Sequence, residues 1–197
     1  MDKIEICNMA LTRLGVANIN RIDEASEPGR ACNQMYETVR QLVLRKYPWP
    51  FATRRVELAL LPAAPIDYEF AYRAPSDAVT LRHLIASDGT KITERDKRYK
   101  LLSDEYGRVI YSHLPLAAVE YTANVTDTNL FPVDFCDALA WKLAAEIAMR
   151  LTGDLNLVNN AVAAYNAYFA EAAADGENEQ KPDAEYVSPL VWGRYYD

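Results

Sequence analysis

The sequence predicts an α+β fold: a four-helix domain built from the N- and C-terminal segments, an inserted antiparallel β-sandwich or barrel-like domain, and an extended C-terminal arm. Two observations carry that expectation. Apolar residues recur about every 3.6 positions within residues 1–50 and 131–175, and about every second position across 51–130. Beyond residue 175 the periodicity stops, and an acidic stretch gives way to an aromatic one. With 197 residues, half of them hydrophobic and only seven glycines and ten prolines, the chain has the means to bury roughly 70% of its unfolded surface in a proper core.

The elements follow in order. Ile4, Cys7, Leu11 and Leu14 fall at helical spacing over residues 2–14, and Gly15 is a stop signal. Ser26 is the right residue to cap a second helix, with Pro28 in its first turn. Cys32, Met35, Tyr36, Val39, Leu42 and Val43 then share a face as far as Tyr47. Pro48 and Pro50 end that helix, because proline lacks the amide proton and biases its predecessor away from helix. From Phe51 to Thr126, Tyr68, Phe70 and Tyr72 alternate with other residues, as do Val79, Leu81 and His83. Asp88-Gly89 reads as a hairpin between 78–86 and 91–95, and Asp104 to Gly107 as the turn joining 99–103 to 108–112. Residues 119–125 complete five or six strands. After Pro132, with Asp134 as the expected cap, Leu139, Leu143, Ile147 and Leu151 mark a third helix to Gly153. The fourth, alanine-rich, runs from about Leu155 to Ala174 on Leu157, Ala161, Ala164, Tyr165, Tyr168 and Ala172. Its small side chains suit close helix packing. The domain boundaries expected are therefore 1–50 with 131–175 for the helices, 51–130 for the β part, and 176–197 for linker and arm.

Charge narrows the function. The net charge of −7 divides into +3 over residues 1–55, −3 over 56–130 and −7 over 131–197. Gripping a DNA duplex needs clustered cations, so nucleic acid is not the expected ligand. Cys7, Cys32 and Cys136 are far apart with no C-x-x-C spacing, and read as reduced core residues. The start, Met1-Asp2-Lys3-Ile4-Glu5, places charges where a signal peptide needs an apolar run. No segment approaches the ~18 consecutive apolar residues of a membrane span, so no membrane partner is expected.

Catalytic signals are lacking. The glycines form no phosphate-cradling motif, and His83 and His113 have no ligating neighbour in sequence. Neither catalytic residues, a metal nor a cofactor is expected. The adjacent carboxylates Asp23-Glu24 and Asp104-Glu105 lie in turn-like segments, where hydration and turn formation account for them.

Three segments point instead to assembly. Trp49, Pro50, Phe51, Arg54 and Arg55 lie where helix meets β region, and two aromatics held between prolines would set the angle between those parts. A basic run, Arg95, Lys97, Arg98 and Lys100 interleaved with Glu94 and Asp96, is expected at a hairpin tip, able to orient an acidic partner. Finally, Tyr186, Val187, Leu190, Val191, Trp192, Tyr195 and Tyr196 put seven large apolar residues at the end of an acidic linker. A terminal segment cannot bury these against itself, and tyrosine and tryptophan are favoured interface anchors.

The ordered motifs Asn8-Met9-Ala10-Leu11 with Leu14-Gly15, Tyr47-Pro48-Trp49-Pro50-Phe51-Ala52-Thr53-Arg54-Arg55, Tyr72-Arg73-Ala74-Pro75-Ser76-Asp77, Val125-Thr126-Asp127 and Leu151-Thr152-Gly153 span most of residues 3–170. Together they resemble the tail tubular protein A family, the head-to-tail adaptors of short-tailed bacteriophages. Pro50 and Ala74 depart from that family's usual residues. The resemblance implies a structural, non-enzymatic virion protein of the tail and neck, made in the host cytoplasm. It implies a twelve-subunit ring between the portal protein and the tail nozzle protein, through whose channel DNA passes without specific binding. The aromatic arm would then meet the portal or a neighbouring subunit, and Arg95, Lys97, Arg98 and Lys100 the nozzle. Two other readings stand beside it: a small soluble hydrolase using paired carboxylates, and a cellular α+β protein-interaction module that binds a peptide along a strand edge.

Overall fold

A computed structural model describes the backbone of residues 1–179 and the side chains as far as Glu171. It has four helices and two three-stranded antiparallel sheets, an α+β fold. Helix α1 (Lys3–Arg13) opens on a capping box. Asp2 accepts the Glu5 amide at 2.8 Å, and the Glu5 carboxylate accepts the Asp2 amide at 2.6 Å. Gly15, at φ 67°, takes the turn after it. The loop that follows is pinned by Asn8, whose side-chain amide exchanges two hydrogen bonds with the backbone of Ile19. Helix α2 (Glu27–Lys46) is capped by Ser26, as its sequence predicts. Leu42 does not share its buried face: it is 48% exposed, and the place is taken by Arg40, which is 2% exposed.

Helix α3 (Val133–Thr152) begins at Pro132 rather than at an Asp134 cap. Pro132 occupies the extended cap position and its carbonyl accepts the Cys136 amide, which leaves Asp134 inside the first turn with no capping bond. Helix α4 (Leu155–Glu179) runs past Ala174 and includes residues 176–179, the first part of the stretch expected to be linker. Helix α3 packs against α1, α2 and α4. Arg13, in the last turn of α1, pairs with Asp137 and lies 4.1 Å from the centre of the Trp141 ring, fixing α1 to α3. Cys7, Cys32 and Cys136 are free and buried. The Cys7 thiol is raised well above its ordinary pKa, first by its contact with Cys32 and then by burial.

The strands are β1 (Thr53–Glu57), β2 (Phe70–Arg73), β3 (Ala78–Ala86), β4 (Tyr99–Asp104), β5 (Gly107–Ser112) and β6 (Ala117–Ala123). One sheet has the order β1-β6-β3 and the other β2-β5-β4. The expected hairpin at Asp88-Gly89 does not form. The chain turns there with Gly89 at φ 75°, but residues 91–95 are irregular and then enter a turn rather than forming a strand, and β3 pairs with β6. Strict alternation in β3 also fails. Its inward residues are Ala78, Leu81 and Leu84, while His83 is exposed, because register shifts between Ala78 and Thr80 and between Leu81 and His83 break the period of two. The chain after β1 crosses from one sheet to the other: the Leu58 amide bonds Ala117, then Leu61 bonds Ala71 and the Arg73 amide returns to Ala59. One cluster of buried side chains runs from Ile6, Leu11 and Leu143 through Trp49 to Leu84, Ile110 and Val119.

Candidate functional site

The joint between helices and sheets is built from the segment that stands out in the sequence. Tyr47 leaves α2 in an extended conformation, and Pro50 opens a 3₁₀ turn, Pro50–Ala52, that feeds directly into β1. Trp49 is 3% exposed, and its indole N–H donates to the Val43 carbonyl at 3.0 Å, so the ring is both packed and satisfied. Around it lie Tyr47, Phe135 and Phe169, with ring centroids at 5.4, 5.1 and 6.2 Å in edge-to-face arrangements. Phe51 continues the cluster onto Phe135 at 4.9 Å and Phe131 at 5.6 Å. Pro50 itself is exposed. Two residues downstream of the turn, Arg54 donates to Asp77 at 2.8 Å, and Tyr121 donates its hydroxyl to the same carboxylate at 3.0 Å. Arg55 donates to Glu120 at 2.6 Å across the β1–β6 pair. The five residues thus sit at one place, the two aromatics packed at the joint and the two arginines exposed on opposite faces of β1.

Two further arginines tie the joint together, and sequence reasoning missed both. Arg40 donates to Glu37 and to the Val125 carbonyl, linking α2 to the chain leaving β6. Its signal was present as a cation lying on the apolar face of the helix. Arg82 donates to the Thr122 hydroxyl at 2.9 Å and to the carbonyls of Leu44 and Arg45 at 3.3 and 3.2 Å. It thereby closes the C-terminal end of α2, whose carbonyls have no helical partner. The irregular register at Arg82 aims that side chain, and no sequence pattern announces such a bulge.

The basic residues occupy another surface. They are not at a hairpin tip, as expected: the tip between β4 and β5 is Glu105-Tyr106, and the basic run is the turn-rich lead into β4. The reason is that 91–95 forms no strand, so the run has no hairpin to cap. Arg95 donates to Glu69 at 2.9 Å and lies 3.3 Å from His113 Nδ1, while Lys97 pairs with Glu94. His113 stacks on Tyr68 at 5.2 Å. Arg98 and Lys100 are exposed, and neither joins an ion pair among the described residues. Tyr186, Val187, Leu190, Val191, Trp192, Tyr195 and Tyr196 lie outside the described residues.

His83 faces Glu120 at 3.7 Å and His113 faces Glu69 at 3.5 Å, so the two imidazoles have separate partners. No group of three His, Cys, Asp or Glu side chains among these residues could hold a metal ion. A general-acid carboxyl must be held up toward neutrality, whereas the clearly shifted ones are held down. The Arg73 guanidinium brings Asp104 to about 2, the Ser26 hydroxyl lowers Glu24, and Arg30 with Arg150 lowers Glu27. Asp104 and Asp23, from the adjacent carboxylate pairs, are thus engaged by Arg73 and Arg21. A depression of about 270 Å³ between α2 and the β2–β3 turn includes Asp77, already engaged by Arg54 and Tyr121. A more open one of about 420 Å³ on α1 includes Arg13, engaged by Asp137. No family model matches the chain, and no curated protein matches it.

Proposed function

We propose that this protein is a structural adaptor of a phage virion, a ring subunit that joins the portal to the tail nozzle and leaves a channel for DNA. In this reading the helices, drawn from both ends of the chain, form one domain directed toward the portal. The two sheets form an inserted sandwich directed toward the nozzle, and the residues after α4, 180–197, supply a linker and an arm that docks on the portal or on the neighbouring subunit.

The observation that carries the reading is the aromatic joint. The segment Tyr47–Arg55, which contributes most to the resemblance, folds into a packed wedge whose tryptophan bonds α2 and whose next residues open β1. An adaptor must hold two binding surfaces at a constant angle, because in a ring of head-to-tail contacts that angle decides whether the ring closes. A wedge of interlocking aromatic rings, backed by Arg40 and Arg82, supplies that rigidity. The negative balance of the chain suits a channel that DNA must cross, since a cationic wall would hold phosphates by releasing counterions.

The test is electron microscopy of the purified chain mixed with the portal protein of the same virion. Coaxial rings stacked on the portal, with density for the sheets on the side away from it, are the expected result. A chain that stays apart from the portal under those conditions overturns the reading.

A further inference from the structure

Among the described residues, the β4 strand is an open edge. Every residue from Lys100 to Asp104 is exposed, including Leu101 at 39% and Leu102 at 45%. The direction of its backbone groups follows from its neighbours. The Arg108 carbonyl accepts the Ala74 amide from the β2 side, so residues 107, 109 and 111 of β5 turn toward β4. Their partners Asp104, Leu102 and Lys100 then turn toward β5, which leaves the amides and carbonyls of Leu101 and Ser103 pointing outward. No described residue bonds them. Such an edge is a template for another strand unless something blocks it.

The sequence of the strand, Tyr99-Lys100-Leu101-Leu102-Ser103-Asp104, is complementary to itself when reversed. In an antiparallel pairing that sets Leu102 against Leu102 of a second copy, Lys100 falls opposite Asp104 at both ends. Leu101 and Ser103 exchange the outward backbone bonds. Leu102 then occupies the close, non-hydrogen-bonded position where cross-strand side chains touch most tightly. Its flanking charges are of opposite sign and lie on its own face, and Arg73 keeps Asp104 fixed in place with two bonds of 2.7 and 2.8 Å.

We infer that β4 pairs edge to edge with β4 of a second copy, forming an isologous dimer centred on Leu102. The contact is small, below the ~1,200 Å² of stable interfaces, so the dimer is a weak and reversible one. The inference does not rest on the adaptor reading, because it concerns the chain with itself. It does constrain that reading: Lys100 belongs to the surface offered to the nozzle, so the dimer and a nozzle contact exclude one another.

Sedimentation velocity of the full chain, without any partner, tests this over rising concentration. The expected result is a concentration-dependent dimer. Leu102→Lys and Leu102→Glu, each placing like charges on the two-fold axis, are expected to weaken it at least ~tenfold. An equimolar mixture of the two variants is expected to dimerise again, now as a Lys–Glu pair. Leu102 is exposed, so neither change disturbs the core, and recovery in the mixture shows that both copies are folded. A chain that is monomeric at every concentration, its edge then awaiting a different strand, overturns the inference. So does a dimer or larger species that both substitutions leave intact, or a mixture that remains monomeric.

Discussion

Arginine does several structural jobs in this molecule, and each is defined by what surrounds the guanidinium. Arg40 is buried to 2% exposure, and a buried charge is tolerable only with its donors satisfied; Glu37 and the Val125 carbonyl supply the acceptors. Arg82 is partly buried, which lowers its pKa, and its donors go to helix-end carbonyls that would otherwise be unpaired. Arg73, also half-buried, instead grips a more exposed carboxylate, Asp104, through both oxygens. That grip, with the Tyr106 amide as a further donor, brings the Asp104 carboxyl from an ordinary 3.8 to about 2. Because the folded value lies below the unfolded one, the carboxylate contributes its stability in full above about pH 4. The contribution fades as the pH falls toward 2. In Arg73→Ala the Asp104 carboxyl is expected to titrate back toward its ordinary value, followed by the NMR shift of its carboxyl carbon against pH. An Asp104 that still titrates near 2 in that variant would assign the effect to the turn amides instead.

At the level of elements, the starts and stops of the helices are the most sharply determined features. The Asp2–Glu5 capping box, the Ser26 cap and the left-handed Gly153 are local arrangements among residues a few positions apart. Gly29, in the first turn of α2, has a different requirement. A Cβ at this position would lie 2.7 Å from Glu24 Cγ and 2.9 Å from the Glu24 carbonyl oxygen. The side chain of Glu24 can swing away, but its backbone carbonyl cannot without moving the loop that Asn8 and Ser26 hold. Gly29→Ala is therefore expected to destabilise the protein by ~1–3 kcal/mol, as overpacking does. The urea midpoint should drop while the slope stays constant, since the surface exposed on unfolding is the same. An unchanged midpoint would mean that the 19–26 loop is free to give way. The sheets are less local: β3 carries two irregularities in register, and the chain after β1 crosses between sheets within a few residues.

For the whole molecule, the relevant division is between what completes the core and what is left over for partners. Among the described residues, the buried cluster runs as far as Tyr165, and Phe169 reaches the joint. If the arm docks on a partner as proposed, deletion of residues 186–197 leaves that cluster intact. The expected outcome is an unchanged thermal unfolding midpoint together with loss of attachment to the portal in a cosedimentation assay. Attachment of undiminished affinity would remove the arm from the proposed mechanism, whatever the role of the ring. In the intact assembly the arm would act as a second point of engagement, so that ordering it is offset by the sites already docked.

Much of the fold was legible because its signals are local. Helical spacing, caps and the proline pair at 48 and 50 depend on residues within a turn of one another, and the helices and most strands stand where those signals place them. The aromatic joint was legible as a segment, since two prolines and two aromatics in four positions leave the backbone few choices. Apart from the helix ends at Asp134 and Ala174, the failures are non-local. Residues 91–95 were expected as a strand, but β3 pairs with β6, which is distant in the chain, and not with the segment that follows it. Leu42 has the spacing of a core residue, but Val125 places its carbonyl where Arg40 can reach it, so the buried face turns toward Arg40. The sequence by itself determined the order and kind of the elements, the position of the joint and the surplus of negative charge, because each follows from neighbouring residues or from composition. Only the tertiary structure decided which strands pair, where β3 bulges to aim Arg82 and which edge remains open, because those depend on competition between segments distant in the chain.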